Sequence, residues 1–229
     1  MTQIKPSVAH PGIASPKGIP ARLAHYQRKK MFASFLRTCE VQENDQIGDI
    51  GATSDQTFES SNYLEAWYPH KKSITAIGVD DASFLEKKFP GVEFVQANGL
   101  DLPFENNYFD IVHSSAVIEH VGSWKNQIRF IEECSRVANK AVFITTPNRW
   151  FPIEFHTVLP FLHWLPKPTH RKALTSINMQ FFADEKNLNL MSKSELLKAS
   201  VNIKKFNFVC RSEKLFGIGS NLLLIGTLK

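Results

Sequence analysis

A short apolar strand that ends in a turn of small residues constrains this chain most. Residues 46–54 read Gln-Ile-Gly-Asp-Ile-Gly-Ala-Thr-Ser, which predicts a buried strand, a tight turn at Gly51 and a helix over 58–67. Such a junction leaves backbone N–H groups pointing out of the turn, an arrangement typical of nucleotide sites. Asp49 is either an acid that faces this pocket or a surface turn residue, and the stretch alone leaves both interpretations open.

Strand and helix patterns alternate from residue 46 to residue 148. Further strands are predicted at 73–79, 92–96, 108–114 and 140–145, with helices at 82–88 and 123–137 between them. This alternation predicts an α/β fold, a Rossmann-like doubly wound and mostly parallel sheet. Two closing strands, at 206–211 and 221–229, predict an antiparallel C-terminal pair, and Ser192 with Glu195 forms a capping box before another helix.

Three further parts flank this core. Residues 1–20 contain four prolines and predict a flexible N-terminal tail, whereas 21–229 predict a single domain whose first helix, at 21–38, is amphipathic. Residues 147–190 break the α/β pattern with prolines and aromatics, and predict an irregular lid over the strand ends.

The aromatic side chains of this insertion allow three interpretations. They pack on the domain, line an apolar acceptor pocket, or contact a membrane interface peripherally, with the basic stretch 167–172 on anionic headgroups. The side chains are Trp150, Phe151, Phe155, Phe161 and Trp164.

Composition narrows the partners and the compartment. The chain has 229 residues, 43% of them hydrophobic, which is enough for one sizeable core. Its net charge of +5 permits an anionic partner, but the excess is spread along the sequence, which argues against nucleic acid. Cys39, Cys134 and Cys210 have neither metal-ligand nor disulfide spacing, and no apolar run is long enough to span a bilayer. We therefore expect a cytoplasmic protein of unspecified oligomeric state.

Four ordered motifs resemble those of the class I S-adenosylmethionine-dependent methyltransferases, particularly the small bacterial branch that includes quinone-pathway enzymes. The motifs are Asp49-Ile50-Gly51, Val79-Asp80, Ala97-Asn98-Gly99 with Leu102-Pro103-Phe104, and Phe109-Asp110-Ile111-Val112 leading to Glu119-His120-Val121. The resemblance covers about residues 46–148. It implies S-adenosyl-L-methionine as the cofactor and a small-molecule or lipid-like methyl acceptor, such as a quinone precursor, a lipid or a glycan sugar.

The resemblance also implies which residues bind the cofactor. Asp80 would accept hydrogen bonds from the ribose hydroxyls, although either Asp80 or Asp81 could instead cap the helix at 82–88. The full set of implied cofactor residues is Asp49, Gly51, Thr53, Asp80, Asp81, Asn98, Gly99, Ser114 and Ser115.

Two departures from the family pattern lie in this set. Thr53 and Asp55 stand where the family has its second and third glycines, and Asn98 replaces the usual acid of the adenine loop. A nicotinamide dehydrogenase would tolerate these changes poorly, because its diphosphate requires the glycines. The rival interpretations are a module that has lost cofactor binding and an RNA-modifying methyltransferase.

The implied reaction is in-line methyl transfer that leaves S-adenosylhomocysteine. A base is needed if the acceptor is a hydroxyl or a protonated amine, and the candidates are His120, His156 beside Glu154, and His113. Each could equally be a structural histidine. No metal is expected, because Ala116 stands where metal-binding relatives carry a further acid.

Overall fold

Seven strands form one mixed sheet in the computed structural model, which describes residues 18–229 except Thr57 and Glu59. Most of the predicted tail lies outside the described residues. The strands are β1 Ile47–Ile50, β2 Ile74–Gly78, β3 Glu93–Gln96, β4 Phe109–Ser115, β5 Ala138–Pro147, β6 Phe206–Leu215 and β7 Ile218–Leu228. Their order across the sheet is β3-β2-β1-β4-β5-β7-β6.

Helices connect and cover these strands. They are α1 Ile19–Thr38, α2 Tyr63–Trp67, α3 Phe84–Lys88, α4 Trp124–Val137, α5 Lys167–Ser176, α6 Gln180–Ala183 and α7 Lys193–Ser200. Short 3₁₀ turns lie at Lys71–Ser73, Ile118–His120 and Leu162–Trp164.

The sheet is doubly wound, which confirms the predicted fold class. Strands β3, β2, β1, β4 and β5 pair in parallel, whereas β7 runs antiparallel to both β5 and β6. One face packs on α1, α2 and α3 through Phe35, Leu64 and Leu85. The other face packs on α4 and α7 through Phe130 and Leu196. The strand order reverses beside β1, between β2 and β4, which is where ligands bind in open sheets of this kind.

The helix after the glycine turn is shorter than its sequence predicts. A helix was expected over 58–67, but α2 begins only at Tyr63. Asn62 occupies the N-cap position, yet its side-chain amide binds the backbone N–H and C=O of Thr53, at 2.9 Å each, instead of capping the helix. The amide therefore ties the turn to the helix entry.

The insertion contains more regular structure than expected. Residues 167–172, predicted as irregular, lie in α5, where Pro168 falls in the first turn and so leaves no helical hydrogen bond unmade. Leu174, Phe182, Leu188 and Leu190 form a small hydrophobic cluster of their own. The insertion is thus a folded lobe.

Helix capping agrees with the sequence. The Ser123 hydroxyl accepts from the Asn126 N–H at 3.3 Å at the start of α4, and Ser192 and Glu195 form the reciprocal capping box of α7. Across the described ranges, 18–56, 58 and 60–229, no helix has the length and apolarity that crossing a bilayer requires.

Candidate active site

The glycine turn closes the carboxyl end of β1 against β2. The N–H groups of Gly51 and Ala52 both donate to the Ile77 carbonyl, at 2.7 and 2.9 Å, and that of Thr53 donates to Asn62. The expectation of free N–H groups at this turn is therefore wrong for these three residues. A turn satisfied in this way offers no cradle for a phosphate, whereas a cofactor that lacks a phosphate does not need one.

Gly51 has a backbone conformation that other residues rarely adopt. Its φ is +105°, and an added Cβ would lie 2.0 Å from Cγ2 of Val117. Val117 belongs to the segment that leaves β4, so the two strand exits touch at this glycine. The position requires glycine for its conformation and for the available space.

A buried chain of hydrogen bonds lies beneath the turn. Oδ1 of Asp49 is 2.6 Å from Nδ1 of His113, and Nε2 of His113 is 2.8 Å from the Tyr63 hydroxyl. Both distances are satisfied if Nδ1–H donates to the carboxylate and Nε2 accepts from Tyr63. His113 is fully buried in this chain, so it serves the core and not the acceptor.

Glu65 from α2 completes this buried group. Its side chain is fully buried beside Asp49, and no described residue donates a hydrogen bond of ordinary geometry to its oxygens. Burial raises the pKa of Asp49 to about 7 and that of Glu65 well above its ordinary range. Burial lowers the pKa of His113 to about 4. The folded protein therefore holds a protonated Glu65 against Asp49, with a neutral imidazole on its other side.

The two acids after β2 differ in their surroundings. Among the described residues, none donates a hydrogen bond to the half-buried Asp80 carboxylate, so both of its oxygens remain available to a ligand. Oδ1 of Asp81 instead accepts from the Ser83 N–H at 2.9 Å, and this hydrogen bond lowers the pKa of the exposed Asp81. The geometry leaves the Asp80 carboxylate open to a ligand and gives Asp81 a capping role.

The predicted adenine loop follows β3. The side-chain oxygen Oδ1 of Asn98 accepts from the Leu100 N–H at 3.0 Å, so it already has one hydrogen-bond donor within the loop. Gly99 packs against the core, since an added Cβ would lie 2.7 Å from Cε2 of Phe130. Glycine is required at this position by the close approach of the core.

The serines at the end of β4 have different environments. Ser114 is fully buried and its hydroxyl donates to the Ile50 carbonyl at 2.7 Å, so the predicted cofactor contact of Ser114 does not fit this geometry. The side chain instead joins β4 to β1. Ser115 is half-buried, accepts from the Thr145 hydroxyl at 3.0 Å and lies at the strand exit.

Thr53 is half-buried, and its side chain stabilises the turn. Its hydroxyl accepts from the Asp55 N–H at 3.1 Å, so both residues that replace family glycines belong to one local hydrogen-bonded turn.

The strand exit after β4 and the insertion meet at a pair of histidines. The rings of His120 and His156 lie 4.9 Å apart at 84° to one another. Nδ1 of His120 is 2.6 Å from the Asn187 carbonyl, and Nδ1 of His156 is 2.6 Å from Oε1 of Glu154. The fully buried Glu119 accepts from the Thr146 hydroxyl at 2.8 Å beside them.

Burial and nearby charges together set the protonation of His120 and His156. Burial lowers the pKa of His120. Burial acts most strongly on His156 and would lower its pKa, but the hydrogen bond to Glu154 and the negative charges of Glu154 and Glu119 together raise the pKa above its ordinary value. Burial alone would raise the pKa of Glu154, but the hydrogen bonds and the charge of His156, with a hydrogen bond from Thr157, together lower it to about 2. His120 therefore keeps a neutral imidazole, whereas Glu154 is a carboxylate that fixes the ring of His156.

The insertion exposes most of its aromatic side chains. Trp150, Phe155, Phe161 and Trp164 are between 41% and 54% exposed, while Phe151 is buried and stacks on Phe155. Two basic residues of the insertion are ion-paired: Lys167 with Glu195 at 3.2 Å and Arg171 with Glu185 at 3.0 Å. The lobe therefore presents aromatic surface more than free positive charge.

Sequence reasoning did not find Tyr63 and Glu65 as parts of the site. Their spacing within a predicted helix is that of an ordinary amphipathic segment, and only the sheet brings them to Asp49. His120 and His156 were found as separate candidates, and the structure brings them together.

The fold and one segment of the sequence are similar to those of one class of protein. A doubly wound sheet with an antiparallel last pair, a glycine turn after β1 and an acid after β2 is the arrangement of the class I S-adenosylmethionine-dependent methyltransferases. Residues 59–144 match a family model described as a methyltransferase domain. The matched segment and the fold are thus similar to those of a methyltransferase domain.

Parts of the sequence are similar to those of two methyltransferases. A probable S-adenosylmethionine-dependent methyltransferase of Mycobacterium tuberculosis is 34% identical over 82 residues, which cover 34% of this chain and 29% of the relative. The ubiquinone/menaquinone biosynthesis C-methyltransferase of Xylella fastidiosa is 29% identical over 148 residues, covering 57% of this chain and 56% of that protein. The chain thus spans about a third to just over half of these relatives.

Solved structures share the fold. Magnesium protoporphyrin IX methyltransferase from Synechocystis, with bound S-adenosylhomocysteine, has a TM-score of 0.60 at 10% identity, covering 92% of this chain and 86% of that one. A methyltransferase from Methanosarcina mazei has a TM-score of 0.55 at 19% identity, covering 82% and 94%. At these identities the likeness concerns the fold.

Proposed function

We propose that this chain transfers a methyl group from S-adenosyl-L-methionine to a small or lipid-like acceptor. The observation that carries the proposal is the pair of strand ends at which Asp49 and Asp80 flank Gly51. Ile50 pairs with Ile77 in parallel register, so the two acids leave neighbouring strands on the same edge of the sheet. A nucleoside on that edge would meet the Asp80 carboxylate at one side and the glycine turn at the other.

The residues present fit the cofactor. Asp80 offers carboxylate oxygens to which no described residue donates a hydrogen bond, and Gly51 gives the adjacent turn a backbone conformation that other residues rarely adopt. The bound cofactor supplies a methyl group already activated by its positive sulfur. The protein therefore mainly aligns the reactants, and good alignment alone contributes roughly 7–11 kcal/mol to such reactions.

We propose that the acceptor binds beside His120 and His156, beneath the insertion. In the metal-free protein the neutral His120 is the candidate base, because its Nδ1–H is held by the Asn187 carbonyl and its Nε2 carries the lone pair. His156, fixed by Glu154, would position the acceptor opposite. The exposed aromatics nearby suit an apolar acceptor or the surface of a lipid assembly.

The identity of the acceptor is proposed by class. A quinone precursor is supported by the activity for which the Xylella fastidiosa relative is named, and a lipid or a glycan sugar also fits an aromatic lobe over the site. Free, buried Cys39, Cys134 and Cys210 support a reducing, cytoplasmic setting.

Calorimetric titration with S-adenosylhomocysteine tests cofactor binding. We expect saturable binding in the micromolar range, weakened at least about tenfold by Asp80→Ala through loss of charged hydrogen bonds. Asp81→Asn is the matched control, because Asp81 already caps the next turn, and it should bind within about threefold of the wild type. Absence of heat at millimolar ligand would refute the proposal and favour a fold relative without cofactor.

Transfer from methyl-labelled S-adenosylmethionine to fractionated cell extract tests the acceptor class. Label in the organic phase supports a lipid or quinone precursor, and label in aqueous glycans supports a sugar. Label in RNA would contradict the proposed acceptor class. The variant His120→Asn should lose transfer while S-adenosylhomocysteine affinity stays unchanged.

A further inference from the structure

Three side chains that can ligate a metal converge where the insertion meets the exit of β4. Glu119, His120 and His156 each offer one ligand atom, and these atoms lie within 4.8 Å of one another. Oε1 of Glu119 is 3.9 Å from Nε2 of His120, and the two imidazole rings are nearly perpendicular. One carboxylate and two imidazoles thus face a common point.

The outer nitrogens of both rings are held by acceptors. Nδ1 of His120 lies 2.6 Å from the Asn187 carbonyl oxygen, so that nitrogen must carry the proton. Nδ1 of His156 lies 2.6 Å from the carboxylate of Glu154, which binds it in the same way. Histidine ligands of metals almost always donate their second N–H to a carbonyl or carboxylate, which leaves Nε2 to the ion.

The carboxylate of Glu119 is incompletely satisfied. The side chain is fully buried, and one oxygen accepts from the Thr146 hydroxyl at 2.8 Å. Oε1 is buried and receives no hydrogen bond from any described residue. A buried carboxylate oxygen left without a partner is costly, and a cation at the common point would satisfy it.

We infer that Glu119, His120 and His156 bind a divalent transition-metal ion of the zinc type through one carboxylate oxygen and two imidazole nitrogens. Two nitrogens and one oxygen are a ligand set suited to such ions, and three protein ligands leave a fourth position for a substrate atom. Ligand bonds of about 2.0–2.2 Å require the three atoms to approach within about 3.4 Å of one another. The separations of up to 4.8 Å would contract when the ion binds.

The expectation that no metal binds considered only the strand exit around Ala116. The third ligand, His156, comes from the insertion, and only the folded lobe brings it to Glu119 and His120. The site therefore joins the insertion to the sheet through a bound ion.

This inference deepens the proposed function. It rests on that function for the assumption that the methyl acceptor occupies the fourth coordination position of the ion. An acceptor hydroxyl bound to the ion would release its proton to solvent water more easily, because the cation stabilises the oxygen anion. In the metal-loaded protein His120 and His156 are then ligands, and no side-chain base is needed. The acceptor atom would be oxygen.

The test uses the full chain, stripped with a chelator and titrated with Zn²⁺ by calorimetry and with Co²⁺ by visible absorption. We expect one saturable site and ligand-field bands typical of low coordination. Glu119→Gln and His156→Ala should weaken binding at least about a hundredfold, and Glu154→Gln by about 10–100-fold as a residue that orients a ligand. The control His170→Ala, a histidine of the same insertion outside the group, should bind as the wild type.

Binding that is absent in the wild type, or unchanged in Glu119→Gln and His156→Ala, would overturn the inference. Each variant is checked by thermal melting and by titration with S-adenosylhomocysteine. A variant that keeps nucleoside affinity but loses the metal is folded and supports the inference. A wild type that binds metal but no S-adenosylhomocysteine would refute the proposed function and leave the metal site standing.

Discussion

Nδ1 of His113 lies 2.6 Å from Oδ1 of Asp49, so the acid of the first strand is held from inside the sheet. Tyr63 binds the other ring nitrogen and Glu65 lies on the far side of the carboxylate. The other three side chains fix the orientation of Asp49 directly beneath the glycine turn. The first-strand motif is therefore supported by residues that the motif itself does not contain.

The buried acids predict how stability depends on pH. Burial raises the pKa of Glu65, so the folded chain keeps a proton that the unfolded chain releases as pH rises above the ordinary value of 4.5. The free energy of unfolding therefore falls with rising pH through this group, by at most about 1.4 kcal/mol per pH unit. Asp49 acts in the same direction from 3.8 up to its folded pKa of about 7. His113 opposes them between about 4 and 6.5, where the unfolded chain binds the extra proton.

Replacement of Glu65 by Gln removes one of these protonated acids. We expect the stability of the variant relative to the wild type to increase over the range above pH 4.5 in which the folded wild type keeps its proton, since the amide needs no proton to donate to Asp49. Urea denaturation at several pH values measures the difference. A constant difference across this range would show that Glu65 ionises normally in the folded chain.

Gly51→Ala should disrupt the turn. The new Cβ would overlap Val117, and the φ of +105° is unfavourable for alanine, so we expect a loss of more than about 2 kcal/mol of stability and at least tenfold weaker S-adenosylhomocysteine binding. Gly217→Ala is the matched control, because its φ is +81° but nothing lies within 4 Å of the added atom. Equal losses in the two variants would mean that contact with Val117 does not matter.

Substitutions of the two serines at the end of β4 should have different effects on the stability of the protein and on its affinity for S-adenosylhomocysteine. Ser114→Ala leaves the buried Ile50 carbonyl without its donor and should lower the free energy of unfolding by about 1–3 kcal/mol with unchanged affinity for S-adenosylhomocysteine. Ser115→Ala should weaken that affinity more than it lowers stability. Denaturant titration and calorimetry measure both quantities, and the reverse pattern would contradict the assigned roles.

The exposed aromatics of the insertion offer a further prediction. Trp150→Ala and Trp164→Ala remove side chains that are 50% and 41% exposed, so melting temperature should change little. If the acceptor is apolar, transfer to the labelled organic fraction should fall while S-adenosylhomocysteine affinity holds. If both variants transfer the methyl group as fast as the wild type, the acceptor does not bind at this aromatic surface.

Periodicity and turn chemistry predicted most of the fold, because the strands from β1 to β5 are short apolar runs separated by clear breaks. The capping serines Ser123 and Ser192 could also be predicted from the sequence, since a cap depends only on residues three positions apart. Long-range contacts could not be predicted. Burial of Glu65, the use of Asn62 to hold Thr53, and the meeting of His156 with His120 depend on packing between distant segments.

The helix in the insertion was missed for a different reason. Its prolines suggested irregular structure, but Pro166 and Pro168 lie at the start of α5, where a missing N–H is harmless. The position of a proline within a segment carried more information than the number of prolines.

A crystal structure of the chain soaked with S-adenosylhomocysteine tests the central claim most directly. We predict that the ribose hydroxyls bind the Asp80 carboxylate and that the nucleoside lies over Gly51, between the ends of β1 and β2. A nucleoside bound elsewhere on the protein, with Asp80 facing solvent, would contradict the account.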